Sequence, residues 1–148
     1  HTHVSRNGGR RPRRAIVSAM TLPTPEPVGR LGATSIDCPD PAVLADFYAA
    51  LLGMRRLVSA PDGSVVAITD GTQRLAFMRV PDFVAPTWPE PGQAQQMHLD
   101  VSVTDLDAAV PRAVALGARE AAHQQDPSRW RVLIDPAGHP FCLTTVGA

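Results

Sequence analysis

The sequence predicts an α+β fold: two tandem βαβββ modules forming a curved mixed sheet. Three observations carry that prediction. The segments IDCPDPAVLADFYAALLGMR, from Ile36, and VSVTDLDAAVPRAVALGAR, from Val101, share one plan of alternating strand, Asp, amphipathic helix and Gly. Laying Asp40 on Asp105 sets an offset of 65 residues, and Ile36 then matches Val101 while Cys38 matches Val103. After each copy come short apolar runs separated by turn residues, the pattern of strands rather than helices. Each copy is too small to bury a core alone, so the halves are expected to pack together and to feed equivalent positions into a shared site.

The elements follow in order. Residues 1–30 read as a disordered basic leader and Pro-rich connector, in which TLPTPEPVG spaces three prolines too closely for a helix or an internal strand. Met20 is a candidate natural start behind leader sequence. Module one is expected over 31–80, opening with a strand from Leu31 to Cys38. Asp40 then caps a helix whose first residue, Pro41, sacrifices no hydrogen bond, and Gly53 ends it. Val43, Leu44, Phe47, Tyr48, Leu51 and Leu52 form the helix's apolar face. Strands at Arg55 to Ala60, Ser64 to Asp70 and Gln73 to Val80 make a meander with PDG and DGT as its turns. The segment 81–95 carries four prolines and reads as the loop joining the halves. Module two, 96–147, repeats the order: strand Gln96 to Val103, helix Asp105 to Leu116, strand Arg119 to His123, strand Trp130 to Asp135, turn PAGH, strand Pro140 to Val146. Pro111 is a misfit inside the second helix, because it cannot supply the N–H that the carbonyl of Asp107 would accept.

Composition narrows the function classes. A chain of 148 residues, 44% hydrophobic, suits one domain. Its 14 cations are all arginine and balance 14 acids, but Arg6, Arg10, Arg11, Arg13 and Arg14 precede the first acid at Glu26. The body is therefore acidic and offers no global attraction to nucleic acid, although the basic arm is itself a candidate contact for an anionic partner. No run approaches the roughly 20 apolar residues of a membrane-spanning helix. Cys38 and Cys142 lack an export signal before them and read as free thiols of a cytoplasmic protein.

The order of elements, with FYAALLG closing the first helix, HLDVSVTDLDAAV opening the second module and WRVLIDPAGHPFCL ending it, resembles the glyoxalase/bleomycin resistance/dioxygenase superfamily, the vicinal oxygen chelate proteins. It is especially similar to the glyoxalase-like branch common in actinobacteria, over about Gly32 to Val146. The resemblance implies that each module curls into a half-cup and that metal-dependent members hold one divalent ion between them, a Lewis acid for vicinal oxygens of the substrate. It also implies where the ligands stand. His98, seven residues before Asp105, matches the strand ligand of module two, whereas Ala33 holds that place in module one. Cys142, seven residues after Asp135, stands where glutamate is usual, and the module-one equivalent falls near Phe77 or Met78.

Two functional readings follow. One is a protein that binds a small organic molecule in the cup with an incomplete metal site, needing shape and aromatic surface but no cofactor. The other is a metal-dependent lyase, isomerase or dioxygenase using Zn, Mn, Fe, Co or Ni on His98 and Cys142, with Asp100 joining from the same strand face. Cup-lining candidates are Phe77, Met78, Trp88, His98, Asp100, Trp130 and Cys142, and no residue is assigned a catalytic role. Trp88, flanked by Pro86 and Pro89, is expected to cover the cup or an interface, and Arg74, Arg79, Arg129 or Arg131 would recognise an anionic or carbonyl-bearing ligand if turned inward. His139 and His123 read as turn and strand-end residues. A structural or regulatory domain with a self-filled cup is a third reading; the resemblance, to a family whose modules with exposed sheet edges commonly pair, implies a homodimer, and no nucleic-acid or membrane partner is expected.

Overall fold

Asp40 and Asp105 start the two helices as their positions in the repeat require. In the computed structural model, which describes residues 27–146, Asp40 Oδ1 accepts from the backbone N–H groups of Ala42 at 3.0 Å and Val43 at 3.2 Å. Asp105 Oδ1 accepts from Ala108 N at 3.1 Å. The basic arginine cluster and Met20 lie outside the described residues, as does Gly147.

Module one runs β1 (Thr34–Cys38), α1 (Pro41–Leu52), β2 (Arg55–Ser59), β3 (Val65–Thr69) and β4 (Arg74–Arg79). Module two runs β5 (Asp100–Ser102), α2 (Leu106–Ala115), β6 (Arg119–Glu120), β7 (Trp130–Ile134) and β8 (Pro140–Thr144). The mixed sheet is realised as two four-stranded sheets, ordered β1-β4-β3-β2 and β5-β8-β7-β6. In each, the first strand joins the last in parallel and the other pairs are antiparallel. No helix among the described residues is long and apolar enough to cross a membrane.

Several strands are shorter than the alternation predicts. Leu31 is 88% exposed and β1 begins only at Thr34. Of the expected strand Gln96 to Val103, only Asp100–Ser102 is assigned, although Leu99 O still accepts Cys142 N at 2.9 Å. A strand forms where a neighbour can complete its ladder, and both missing stretches adjoin the Pro-rich connectors. α2 continues through Pro111.

One core serves both modules, as the repeat predicts. Tyr48 of α1 stacks on Phe77 of β4 with ring centroids 5.6 Å apart, and Phe47 meets the edge of Phe141 of β8 at 5.8 Å. The Tyr48 hydroxyl crosses to module two and donates to Asp135 Oδ2 at 2.9 Å. Leu106, Val110, Leu133 and Leu143 complete the cluster from the second module. Fully burying each large apolar side chain contributes about 1.5–3 kcal/mol before entropy is charged against it. The helical faces of the two modules are thus consumed against each other. The opposite faces of the sheets remain for other uses.

Candidate functional site

Strand alternation decides what stands on the free face of module two. On β7, Leu133 points to the shared core, while Trp130, Val132 and Ile134 turn the other way and pack with Ala121, Cys142 and Trp88 in a separate small cluster. On β8, Phe141 and Leu143 are core residues and Cys142 lies between them on the free face. The ladder sets Asp100 of β5 opposite Cys142 and Val132 of β7 on its other side. Over this face opens a cavity of about 450 Å³, lined by Trp88, His98, Asp100, Arg129, Trp130 and Cys142 among others. The Arg129 guanidinium sits 5.5 Å from the Trp130 ring centre, a cation–π arrangement that leaves the charge beside the cavity.

The polar centre of the cavity is a short chain of contacts. His98 Nε2 lies 3.3 Å from Asp100 Oδ1. On the other side of the ring, Gln95 Nε2 lies 3.0 Å from His98 Nδ1. One ligand atom each from His98, Asp100 and Cys142 falls within 4.8 Å of the others, and Asp100 and His98 are both exposed to the cavity while Cys142 is half-buried. Burial, followed by the negative charge of Asp100 and the hydrogen bond given to it, pushes the Cys142 thiol up to about 11. At neutral pH the sulfur therefore keeps its proton, and a cation would have to displace it. The donor set of imidazole, carboxylate and thiol fits a divalent ion of the zinc type with an open position, three protein ligands being the number common at catalytic zinc.

The structure brings five of the expected cup residues together, Trp88, His98, Asp100, Trp130 and Cys142, and separates two. Phe77 is fully buried in the core against Tyr48, so it lines no cup. Met78 is 40% exposed on the free face of module one and does not line the cavity. The ladders also correct the equivalence across the repeat. Cys142 pairs with Asp100 and Val132, and the matching position in module one, paired with Ser35 and Ala67, is Ala76. The module-one counterparts of His98, Asp100 and Cys142 are therefore Ala33, Ser35 and Ala76, none of which offers a strong ligand. Successive residues of β4 lie on opposite faces, so Ala76 stands on the free face and Phe77, one residue on, in the core.

Trp88 packs on the module-two face, its ring 5.6 Å from His123, and forms a wall of the cavity. His139 is held at the PAGH turn with Nε2 2.7 Å from Asp37 O and its ring 5.4 Å from Phe83. Arg131 is committed to Pro127 O, Glu120 and Asp107 on the helical side, Arg79 reaches Asp62 O, and of the four candidate arginines Arg129 lines the cavity. Gln95 was hidden from sequence reasoning because a glutamine in a Pro-rich connector carries no pattern. Its only signal is a place three residues before His98.

Comparison with known proteins points to one family. The profile of the glyoxalase-like domain matches residues 33–144. Among solved structures, the fosfomycin resistance protein FosX from Mesorhizobium loti is similar with a TM-score of 0.60 at 15% identity, covering 80% of this chain and 92% of that one. A glyoxalase/bleomycin resistance protein/dioxygenase family enzyme from Burkholderia phytofirmans PsJN is similar with a TM-score of 0.56 at 18% identity, over 75% and 94% of the two chains. The glyoxalase family protein from Enterococcus faecalis has a TM-score of 0.57 at 20% identity, over 79% and 98%. None of the curated proteins matches the chain.

Proposed function

The chain belongs to the glyoxalase-like domain family, and on that premise we propose that it binds a small organic molecule on the free face of module two. The observation that carries this reading is the open cavity of about 450 Å³ on that face, walled by Trp88 and Trp130. That volume suits a small organic ligand, and two indoles supply broad apolar surface with few polar anchors. Arg129 at the rim favours an anionic or carbonyl-bearing group, which a guanidinium can hold by two parallel hydrogen bonds.

A second reading rests on a separate observation, the approach of His98, Asp100 and Cys142 to within 4.8 Å. In it the chain is a metal-dependent lyase, isomerase or dioxygenase, and these three residues would hold the ion. When bound, a divalent ion would supply Lewis acidity to paired oxygens of a substrate. Ala33, Ser35 and Ala76 give module one no share in such a centre, so any ion would be held from one side only.

The cavity is open on one side, and the matching face of module one presents Val58, 57% exposed, and Met78, 40% exposed. In our reading the chain is a homodimer in which the module-one face of one copy covers the module-two cavity of the other. That arrangement buries the apolar side chains and makes each cavity concave on both sides.

Metal analysis and thermal shift on the full chain separate the readings. Protein purified without added metal is expected to be metal-free and to gain several degrees of Tm with a carboxylated aromatic compound, a gain lost in Trp130→Ala. Stoichiometric metal that disappears in His98→Ala would replace the first reading with the second.

A further inference from the structure

We propose that Gln95 is a positioning residue that selects which ring nitrogen His98 offers to the cavity. The inference rests on the reading of that cavity as the binding site, and two observations carry it. The first is contact. Gln95 Nε2 lies 3.0 Å from His98 Nδ1, and an amide nitrogen only donates, so with the amide set this way Nδ1 must accept and the ring proton belongs on Nε2. Nε2 in turn faces Asp100, whose Oδ1 lies 3.3 Å away. In this arrangement His98 has no bare nitrogen on the Asp100 and Cys142 side. It is a donor there, unable to act as a base or to ligate a cation.

The second observation is the other end of the same amide. Gln95 Oε1 is buried without a hydrogen-bond partner among the described residues, while most buried polar atoms have one. Nothing holds the oxygen where it is. A half-turn of the amide exchanges oxygen and nitrogen with almost no change of shape and brings Oε1 against Nδ1. An acceptor there demands a proton on Nδ1, which strips Nε2 and frees it for a ligand's proton or a divalent ion. The outer nitrogen of a metal-bound histidine is commonly held by such an acceptor, which raises the basicity of the inner one.

Gln95 therefore has two settings matched to two tautomers. As observed, it stabilises His98 with its ring proton on Nε2, the nitrogen that faces Asp100. Turned, it stabilises His98 as a ligand or base. A residue in the loop that joins the modules thereby sets the chemistry of a residue just ahead of β5, and the loop also supplies Trp88 to the same cavity.

The test is the tautomer of His98, read by nitrogen NMR of the full chain carrying labelled histidine, at about pH 9 where an ordinary imidazole is neutral. His98→Gln identifies the resonance. The wild-type chain is expected to show a bare Nδ1 and a protonated Nε2. Gln95→Leu, with neither donor nor acceptor, is expected to lose the preference, and Gln95→Glu, which only accepts, to reverse it. Zinc titration is expected to favour Gln95→Glu over Gln95→Leu by roughly tenfold in affinity. One tautomer common to all three proteins would overturn the proposal. If none of them binds zinc while the tautomer follows residue 95, the metal reading fails and the positioning role stands.

Discussion

Asp100 and Cys142 show how a site can be half legible from a sequence. His98 and Cys142 stand out by their distance from the helix-capping and turn aspartates, and Asp100 by sharing the face of His98. What the sequence could not supply is the pairing of Asp100 with Cys142 across a parallel ladder, because register is a property of two strands rather than one. That pairing has a chemical consequence. Burial and Asp100 together push Cys142 up to about 11, and burial with the neighbouring Asp40, Asp135 and Asp37 does the same to Cys38. Both shifts are upward, so the stability they represent is fully present below the ordinary thiol value of 9.0 and is lost as pH rises through about 11. Reversible unfolding measured over that window should show a falling midpoint, with a shallower fall in Cys142→Ala. Asp100→Asn is expected to lower the Cys142 value without restoring it to normal, since burial is the larger cause, and to raise the rate of iodoacetamide labelling at pH near 8 several-fold. An unchanged labelling rate would mean that Asp100 does not act on the sulfur.

At the scale of elements, helix starts and turns were readable because their chemistry is local. Asp40 with Pro41, Asp105, and the glycines after the helices each satisfy a backbone requirement within a few residues. The DPAGH turn mixes local and distant demands. Asp135 Oδ1 accepts from Ala137 N and His139 N, which any DPxG turn permits, but Gly138 adopts φ 98° and a Cβ there would meet Ala85 Cβ at 2.6 Å. The positive φ is legible from the motif, whereas the approach of the connector at Ala85 is not. Gly138→Ala is expected to cost about 2–3 kcal/mol through backbone strain and overlap. For a domain of this size that is a Tm loss on the order of 8 °C, measurable by calorimetry. Ala85→Gly in the same chain is expected to recover the steric part and leave the backbone part, so an additive double variant would place the connector away from the turn.

For the whole molecule, the duplication predicted a shared core, and α1 provides it by touching both sheets through Tyr48 and Phe47. It did not predict how the modules face. Because the helical faces pack together, the cavity face of module two and its counterpart on module one do not meet at the cavity, whose lining comes from module two and the connector. Where the modules meet depends on which apolar faces are the larger, and periodicity within one module says nothing about the other. The module-one face bears Val58, Ala67, Ala76 and Met78 on paired strands, small and apolar side chains suited to lie against another surface. If a second copy supplies that surface, a charge at Met78 would be desolvated in the dimer and solvated in the monomer, which shifts the equilibrium toward dissociation. Met78→Glu is therefore expected to raise the dimer dissociation constant by tenfold or more in sedimentation equilibrium, corresponding to about 1.4 kcal/mol. The same variant should weaken ligand-induced thermal shifts although residue 78 does not line the cavity within its own chain. Monomeric wild-type protein that binds ligand as tightly as the variant would assign the whole site to module two.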